Sequence, residues 1–207
     1  MNKLERYTSV LDEVDPLNNP HARKKNIIYV GRRVFDNPFI EKVVENTEIE
    51  IDRKLPLTPD ELREVLYNIN KVVAEKTGVI IDFEKVEVRA LKHPEYVVKD
   101  GNIAQVLGKY NPKEPYVIYL DPNLPVYYNP HNLIPSMKEV SIEELVHDGQ
   151  LILGIISKNF EDYGPDIGVE KTEREAKDVA NLVKQRMGLK RYQMGLKMSR
   201  EEAALFN

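Results

Sequence analysis

Residues 58–78 carry the sequence feature that most restricts the fold, an amphipathic helix whose two ends are both marked. Thr58 is a typical N-cap, Pro59 suits the first helical position, and Glu61 completes a capping box with Thr58. Gly78 is a typical residue for ending a helix. Between these ends, apolar residues recur at helical spacing and form one stripe: Leu62, Val65, Leu66, Ile69, Val72 and Val73. A helix of this kind is predicted to pack its stripe on a protein core.

The apolar period changes from helical spacing to alternation after this helix. Strands are predicted at residues 86–90, 103–107 and 115–121, with proline, glycine and asparagine turns between them. Two shorter strands are predicted upstream, at 26–30 and 47–52. Together these elements predict an α+β fold with a small, mainly antiparallel sheet.

A second helix is predicted in the segment SMKEVSIEELVHDGQLILGIIS, residues 136–157. Two capping boxes mark possible starts, one formed by Ser136 with Glu139 and one by Ser141 with Glu144. The earlier start is preferred because it places more apolar residues on a common face, which then extends to the end of the segment.

A last helix is predicted over residues 169–186. Its buried side is expected to consist of Thr172, Ala176, Val179, Ala180 and Val183. Glu173 precedes Ala176 by three residues, so it is predicted to extend this buried stripe, whereas Glu175 is predicted to face solvent. A buried carboxylate is costly unless it has a partner, and a metal ion is one such partner.

The composition restricts the class of protein. The 207 residues include no cysteine, which excludes disulfides and cysteine-ligated zinc and leaves His, Asp and Glu as metal ligands. A net charge of −4 argues against a nucleic-acid binder driven by overall charge. No apolar run is long enough to span a bilayer, and the N-terminus lacks the apolar core of a signal peptide, so a soluble, cytoplasmic protein is expected. The abundance of Glu and Lys is typical of hyperthermophile proteins.

Three parts of the chain are predicted. Residues 1–57 form an N-terminal extension that packs on the main domain, and residues 58–187 form that domain. Residues 188–207 form a basic C-terminal tail, in which glycine weakens any helix.

The helix in residues 136–157 carries the candidate chemistry. Glu143 and His147 are four residues apart, so on a helix they project from the same face and can hold one ion. Glu144 lies about 100° round the axis, a position that suits a residue acting on a water molecule rather than a third ligand. Glu173 on the following helix is the candidate for that third ligand.

This order of elements resembles the small gluzincin-type zinc metallopeptidases, the minimal zincin domains that include the ImmA/IrrE-like family. The resemblance covers roughly residues 58–187 and rests on the E-x-x-H helix and the later Glu-x-Glu-Ala-x-x-x-Ala helix. It implies a peptidase that uses a metal ion to hydrolyse a peptide bond. It also implies that an edge strand before the active-site helix pairs with the substrate, a role that falls to Tyr116, Val117, Ile118 and Tyr119.

Carried over residue by residue, His147 is similar to the second zinc histidine of the family, Glu144 to its general base and Glu173 to its glutamate ligand. Glu143 stands where the family has its first histidine. A carboxylate there adds negative charge, so a bound ion is expected to be a weaker Lewis acid. The implied ion is zinc, and a set of two glutamates and one histidine also suits Fe²⁺ or Mn²⁺.

Two other functions are compatible with the sequence. Loss of the first histidine is typical of a degenerate zincin that binds no metal and acts as a binding or structural module. Basic segments at 21–33 and 184–200 each contain a tyrosine, which suits contact with single-stranded nucleic acid. The site residues have structural interpretations as well: His147 as a buried histidine bonded to backbone, Glu144 as the capping partner of Ser141, and Glu173 as a first-turn glutamate.

Overall fold

The computed structural model describes residues 15–31, 38–99 and 101–189. It confirms a mixed α+β fold in this part of the chain. The helices are α1 (Pro38–Asn46), α2 (Pro59–Thr77), α3 (Met137–Ile152) and α4 (Ile155–Arg186), with a short 3-10 helix at Lys24–Asn26. The strands are β1 (Ile27–Tyr29), β2 (Glu48–Ile51), β3 (Val79–Ile81), β4 (Lys85–Ala90), β5 (Glu95–Lys99), β6 (Asn102–Val106), β7 (Gly108–Tyr110) and β8 (Val117–Leu120).

Helix α2 has the ends that its sequence predicts. The Thr58 backbone N–H donates to the Glu61 carboxylate at 2.8 Å, and the Glu61 N–H donates to the Thr58 hydroxyl at 3.2 Å. Gly78 follows in the left-handed conformation at φ 78°. The apolar stripe of α2 is fully buried, and it packs against both α3 and α4. The helix is therefore the centre of the core on which the candidate site is built.

The central sheet differs from the predicted one. Its strand order is β2-β4-β8-β7, with parallel pairing from β2 to β4 and from β4 to β8, and antiparallel pairing only from β8 to β7. The prediction of a mainly antiparallel sheet is therefore wrong for this sheet. The reason is the helix α2, which connects β2 to β4 as a crossover and so allows the two strands to run in the same direction.

Residues before 58 contribute directly to this core. Strand β2 is one edge of the central sheet, and β1 pairs with β3 in a separate two-stranded ladder. Ile40 and Val44 of α1 are buried in the same apolar cluster as α2. The described part of the predicted extension thus supplies strands and core residues, whereas residues 1–14 and 32–37 lie outside the described part.

The predicted edge strand at residues 115–121 is an interior strand. Strand β8 lies between β4 and β7, so its backbone groups are paired on both sides and cannot pair with a peptide substrate. The edge strand on this side of the sheet is β7, which is only three residues long and was not predicted. The proposed substrate role of Tyr116, Val117, Ile118 and Tyr119 as an edge is therefore wrong.

Helix α3 begins where the preferred capping box predicted. Ser136 is the N-cap, and its backbone N–H donates to Glu139 at 2.8 Å. The helix ends at Ile152 instead of continuing through residue 157, because Gly154 adopts a left-handed conformation at φ 74° and starts α4 in a new direction. Helix α4 is itself broken at Gly164, so the predicted helix over 169–186 is its second part.

Gly154 allows the backbone of His21 and Ala22 to approach more closely than any side chain at position 154 would permit. A Cβ at this position would lie 2.6 Å from the backbone nitrogen of Ala22 and 2.7 Å from the carbonyl carbon of His21. We expect Gly154→Ala to lower the free energy of unfolding by about 2 kcal/mol in urea titrations, whereas Gly31→Ala should cost about 1 kcal/mol. Gly31 is the matched control because it has the same positive φ with no atom within 4 Å of its Cβ position. Equal losses in the two variants would contradict this account.

Two further predictions concern membrane-spanning helices and the basic segments near the ends of the chain. None of the described helices has the length and apolar character needed to cross a lipid bilayer. The basic tail lies outside the described residues from 190 onward, as do Arg32 and Arg33 of the segment 21–33. A nucleic-acid contact through these segments stays a prediction.

Candidate functional site

The candidate site lies where α3 meets α4. His147 of α3 is buried, and its ring Nε2 is 3.6 Å from the Oε1 of Glu173 on α4. These are two of the three predicted metal ligands, and helix packing brings them together from positions 26 residues apart in the chain. The separation is longer than a direct hydrogen bond, so the two groups face each other without a hydrogen bond between them.

A glutamine fixes the tautomer of His147. The His147 Nδ1 lies 3.1 Å from the Gln150 Oε1, and the Gln150 Nε2 donates to the Thr172 carbonyl at 3.1 Å. Because the amide nitrogen is used by Thr172, the oxygen must accept from His147, which places the ring proton on Nδ1. Burial lowers the pKa of His147, which favours the neutral ring. The lone pair on Nε2 therefore faces the Glu173 carboxylate.

Two facing acceptors offer a place for a cation, a proton or a bridging water molecule, and Glu173 is half exposed. A histidine that donates from one ring nitrogen and presents the other as a free acceptor has the arrangement of a metal ligand. Gln150 and Thr172 were not predicted to take part, although the spacing of three residues between His147 and Gln150 on one helix was a usable signal.

Tyr110 lies against the other side of this histidine. Its ring stacks on the His147 ring with 4.8 Å between the centroids and 11° between the planes. Burial raises the pKa of Tyr110 to about 12, with further contributions from the charges of Glu173, Glu144 and Asp148. Tyr110 belongs to β7, whose three residues show no alternating pattern, so the sequence gives no signal that it would reach the site.

Glu144 is held against the same strand. The backbone N–H of Tyr110 donates to its carboxylate, and a Cβ on Gly108 would lie 2.4 Å from Val140 Cγ1 and 2.9 Å from the Glu144 Oε1, so a side chain at 108 would displace both. Burial raises the pKa of Glu144 to about 8, helped by the negative charges of Glu143 and Glu173. The Ser141 hydroxyl donates to the Lys138 carbonyl instead, which rules out the interpretation of Glu144 as a capping-box residue.

Glu143 faces a lysine. The Lys184 Nζ on α4 donates to the Glu143 Oε1 in a close ion pair. The lysine side chain is only 14% exposed and the glutamate 43% exposed. The carboxylate that replaces the first histidine of the family pattern thus already has a positive partner, which the sequence did not reveal.

The predicted exposures of Glu173 and Glu175 are reversed. The Glu173 side chain is 51% exposed, whereas Glu175 is buried and accepts from the Asn159 Nδ2 at 3.0 Å. The reason is the break at Gly164: the first part of α4 folds back and brings Asn159 over the second part. Glu173 still meets His147, but from the rim of the interface rather than from a buried stripe.

The cluster contains side chains of the kind that bind divalent cations, but not a complete ligand set. Among the described residues, no three His, Asp or Glu side chains are arranged to hold an ion together. His147 and Glu173 are two facing donors, whereas the Glu143 carboxylate is paired with Lys184. The negative charges that raise the pKa of Glu144 would be offset by a cation, which is the ordinary effect of a bound metal ion on neighbouring carboxyls.

The two tyrosines of the predicted substrate strand have other partners. The Tyr119 hydroxyl donates to Glu114 at 2.8 Å, and the Tyr116 hydroxyl donates to Asn26 at 3.0 Å.

In comparisons with known proteins, the chain matches no protein-family model, no curated protein and no solved structure. A function for the chain is therefore inferred from the cluster of His147, Glu173, Glu144 and Glu143.

Proposed function

We propose that the chain is a zincin-like, metal-dependent peptidase. His147 and Glu173 would hold the ion, with Glu143 as a third ligand, and Glu144 would act on the attacking water. The observation that carries this proposal is the orientation of His147: the Nδ1–H donates to Gln150, which leaves the Nε2 lone pair facing Glu173 at 3.6 Å. Such an arrangement is characteristic of a metal-ligating histidine.

The chemistry of each side chain follows from its surroundings. A bound zinc ion supplies Lewis acidity toward water and a peptide carbonyl. The Glu144 carboxylate would accept a proton from the attacking water and pass it to the leaving amine. With β8 in the sheet interior, β7 supplies the backbone edge next to Glu144, and an extended peptide is proposed to lie along it.

A second candidate is a degenerate zincin-like module without catalysis. The ion pair between Glu143 and Lys184 favours it, because a lysine already neutralises the carboxylate at the position of the first ligand. In this case the four ionisable side chains would be structural, and His147 would be paired with Glu173 by a proton. Metal occupancy distinguishes the two candidates.

The decisive experiment measures bound metal in protein purified without chelator. We expect about one ion per chain by mass spectrometry, after equilibration with zinc, iron or manganese, and its loss in folded His147→Ala and Glu173→Ala variants. Glu170→Ala is the matched control, because Glu170 is an exposed glutamate of the same helix. Glu144→Gln should keep the ion but abolish hydrolysis in a peptide-library assay. No ion in the unmodified protein would overturn the peptidase proposal and leave the binding module.

A further inference from the structure

We infer that Tyr110 is a positioning residue, which holds the His147 ring in the plane that directs Nε2 toward Glu173. The inference rests on the proposed function, since it concerns the same site. Its basis is the near-parallel stack of the two rings, with centroids 4.8 Å apart and planes 11° apart.

The hydrogen bond from His147 Nδ1 to Gln150 cannot orient the ring by itself. A bond at Nδ1 fixes one point on the ring edge, and the second side-chain torsion of histidine has broad energy minima. The ring can therefore tilt about the bonded nitrogen and swing Nε2 away from Glu173. A flat partner against the ring face removes this tilt, and Tyr110 is such a partner.

Tyr110 is itself firmly placed. Its strand pairs with β8, with Tyr110 opposite Ile118, and its backbone N–H donates to Glu144. Gly108 allows α3 to approach β7 closely enough for the rings to meet. One residue of the edge strand thus contacts the histidine through its ring and the candidate base through its backbone.

The contact depends on the flat ring and not on the hydroxyl. Tyr110→Phe keeps the ring, whereas Tyr110→Leu removes it with a similar apolar character. The two variants therefore separate stacking from every effect of the phenol group. Tyr119→Leu serves as a control, because Tyr119 is a tyrosine of the neighbouring strand that contacts Arg89 and Glu114 instead of the site.

The test measures zinc affinity by competition with a chromophoric chelator and, in the metal-free protein, the tautomer of His147 by ¹⁵N NMR. Tyr110→Leu is expected to weaken zinc binding about 10-fold or more and to mix the two tautomers. Tyr110→Phe and Tyr119→Leu should stay within about 2-fold of the unmodified protein, with the Nδ1–H tautomer retained.

Unchanged affinity and tautomer in Tyr110→Leu would overturn the inference. If that variant does not fold, Tyr110→Met, which also lacks a flat ring, decides the question in the same way. If the unmodified protein binds no zinc, the proposed function fails, while the NMR measurement still shows whether Tyr110 orients the ring.

Discussion

Metal-free protein is expected to lose stability as the pH rises from about 6.5 to about 8, and Glu144→Gln is expected to remove most of this loss. Burial and the nearby charges of Glu143 and Glu173 raise the pKa of Glu144 from 4.5 to about 8. Between these two values the folded protein keeps a proton that the unfolded chain has released. Stability therefore falls as the pH rises through this window, and the fall is complete above the folded-state value.

Other groups act mainly at lower pH. Burial raises the pKa of Asp148 to about 6, so its contribution has the same sign but is complete earlier. Burial lowers the pKa of His147, and a lowered value makes stability increase with pH up to the ordinary histidine range. The pH range between about 6.5 and 8 is therefore the one in which the Glu144 contribution is best isolated.

The size of the effect is measured by urea unfolding at a series of pH values. Each pH unit of the window changes the free energy of unfolding by at most about 1.4 kcal/mol for one group, so the Glu144 contribution between pH of about 6.5 and 8 should be about 2 kcal/mol. Glu144→Gln should be more stable than the unmodified protein at pH of about 8. The exposed Glu170→Gln should keep the original slope. An unchanged slope in Glu144→Gln would show that this carboxyl does not carry a strongly raised pKa.

Local signals in the sequence predicted the helices well. The capping boxes at Thr58 and Ser136 depend on residues three positions apart, and both are present in the structure. The glycine at 78 also acts as predicted. The sequence analysis did not predict that Gly154 and Gly164 redirect the chain, because the identity of a single glycine does not reveal its φ angle.

Non-local contacts account for the errors in the sheet. Strand β2 was predicted as an isolated alternating segment, and only its pairing with β4 shows that α2 is a crossover helix. Strand β7 contains Gly108, Lys109 and Tyr110, which have neither β-branching nor alternation, so its pairing with β8 is set by the surrounding tertiary structure. The edge role of β8 was implied by the resemblance, from its place before the site helix, and the pairing with β7 contradicts it.

The part of the site that lies on a single helix could be predicted from helical geometry. The spacing of Glu143, Glu144 and His147 on α3 follows from the sequence. The interpretation of Glu173 as a first-turn glutamate is wrong, because α4 begins at Ile155 and is broken at Gly164, which leaves Glu173 well inside its second part. The partners that decide their chemistry come from other elements: Tyr110 from β7 and Lys184 from the end of α4. No periodic pattern on one helix indicates such partners.

Lys184→Met is expected to tighten zinc binding about 30-fold, because the lysine is a built-in competitor for Glu143. The Lys184 ammonium is largely buried and bonded to the carboxylate that a metal ion would need as its third ligand. A second positive charge within several ångströms costs about 2 kcal/mol at the effective dielectric constant of a protein surface. Removing the lysine eliminates this repulsion and frees the carboxylate, and chelator competition measures the resulting affinity.

Stability should change much less than affinity in this variant. The Glu143 side chain is 43% exposed, so the ion pair is partly hydrated and its loss should cost no more than about 1 kcal/mol. Lys158→Met is the matched control, since it removes the same charge from an exposed position of the same helix, where the lysine pairs with Asp162, and it should change affinity less than about 3-fold. If Lys184 acts through Glu143, the gain must largely disappear in a Glu143→Gln background. Equal zinc affinity in Lys184→Met and the unmodified protein would show that Glu143 is not a ligand. Zinc binding that appears only in Lys184→Met would show that Lys184 blocks the metal site in the natural protein.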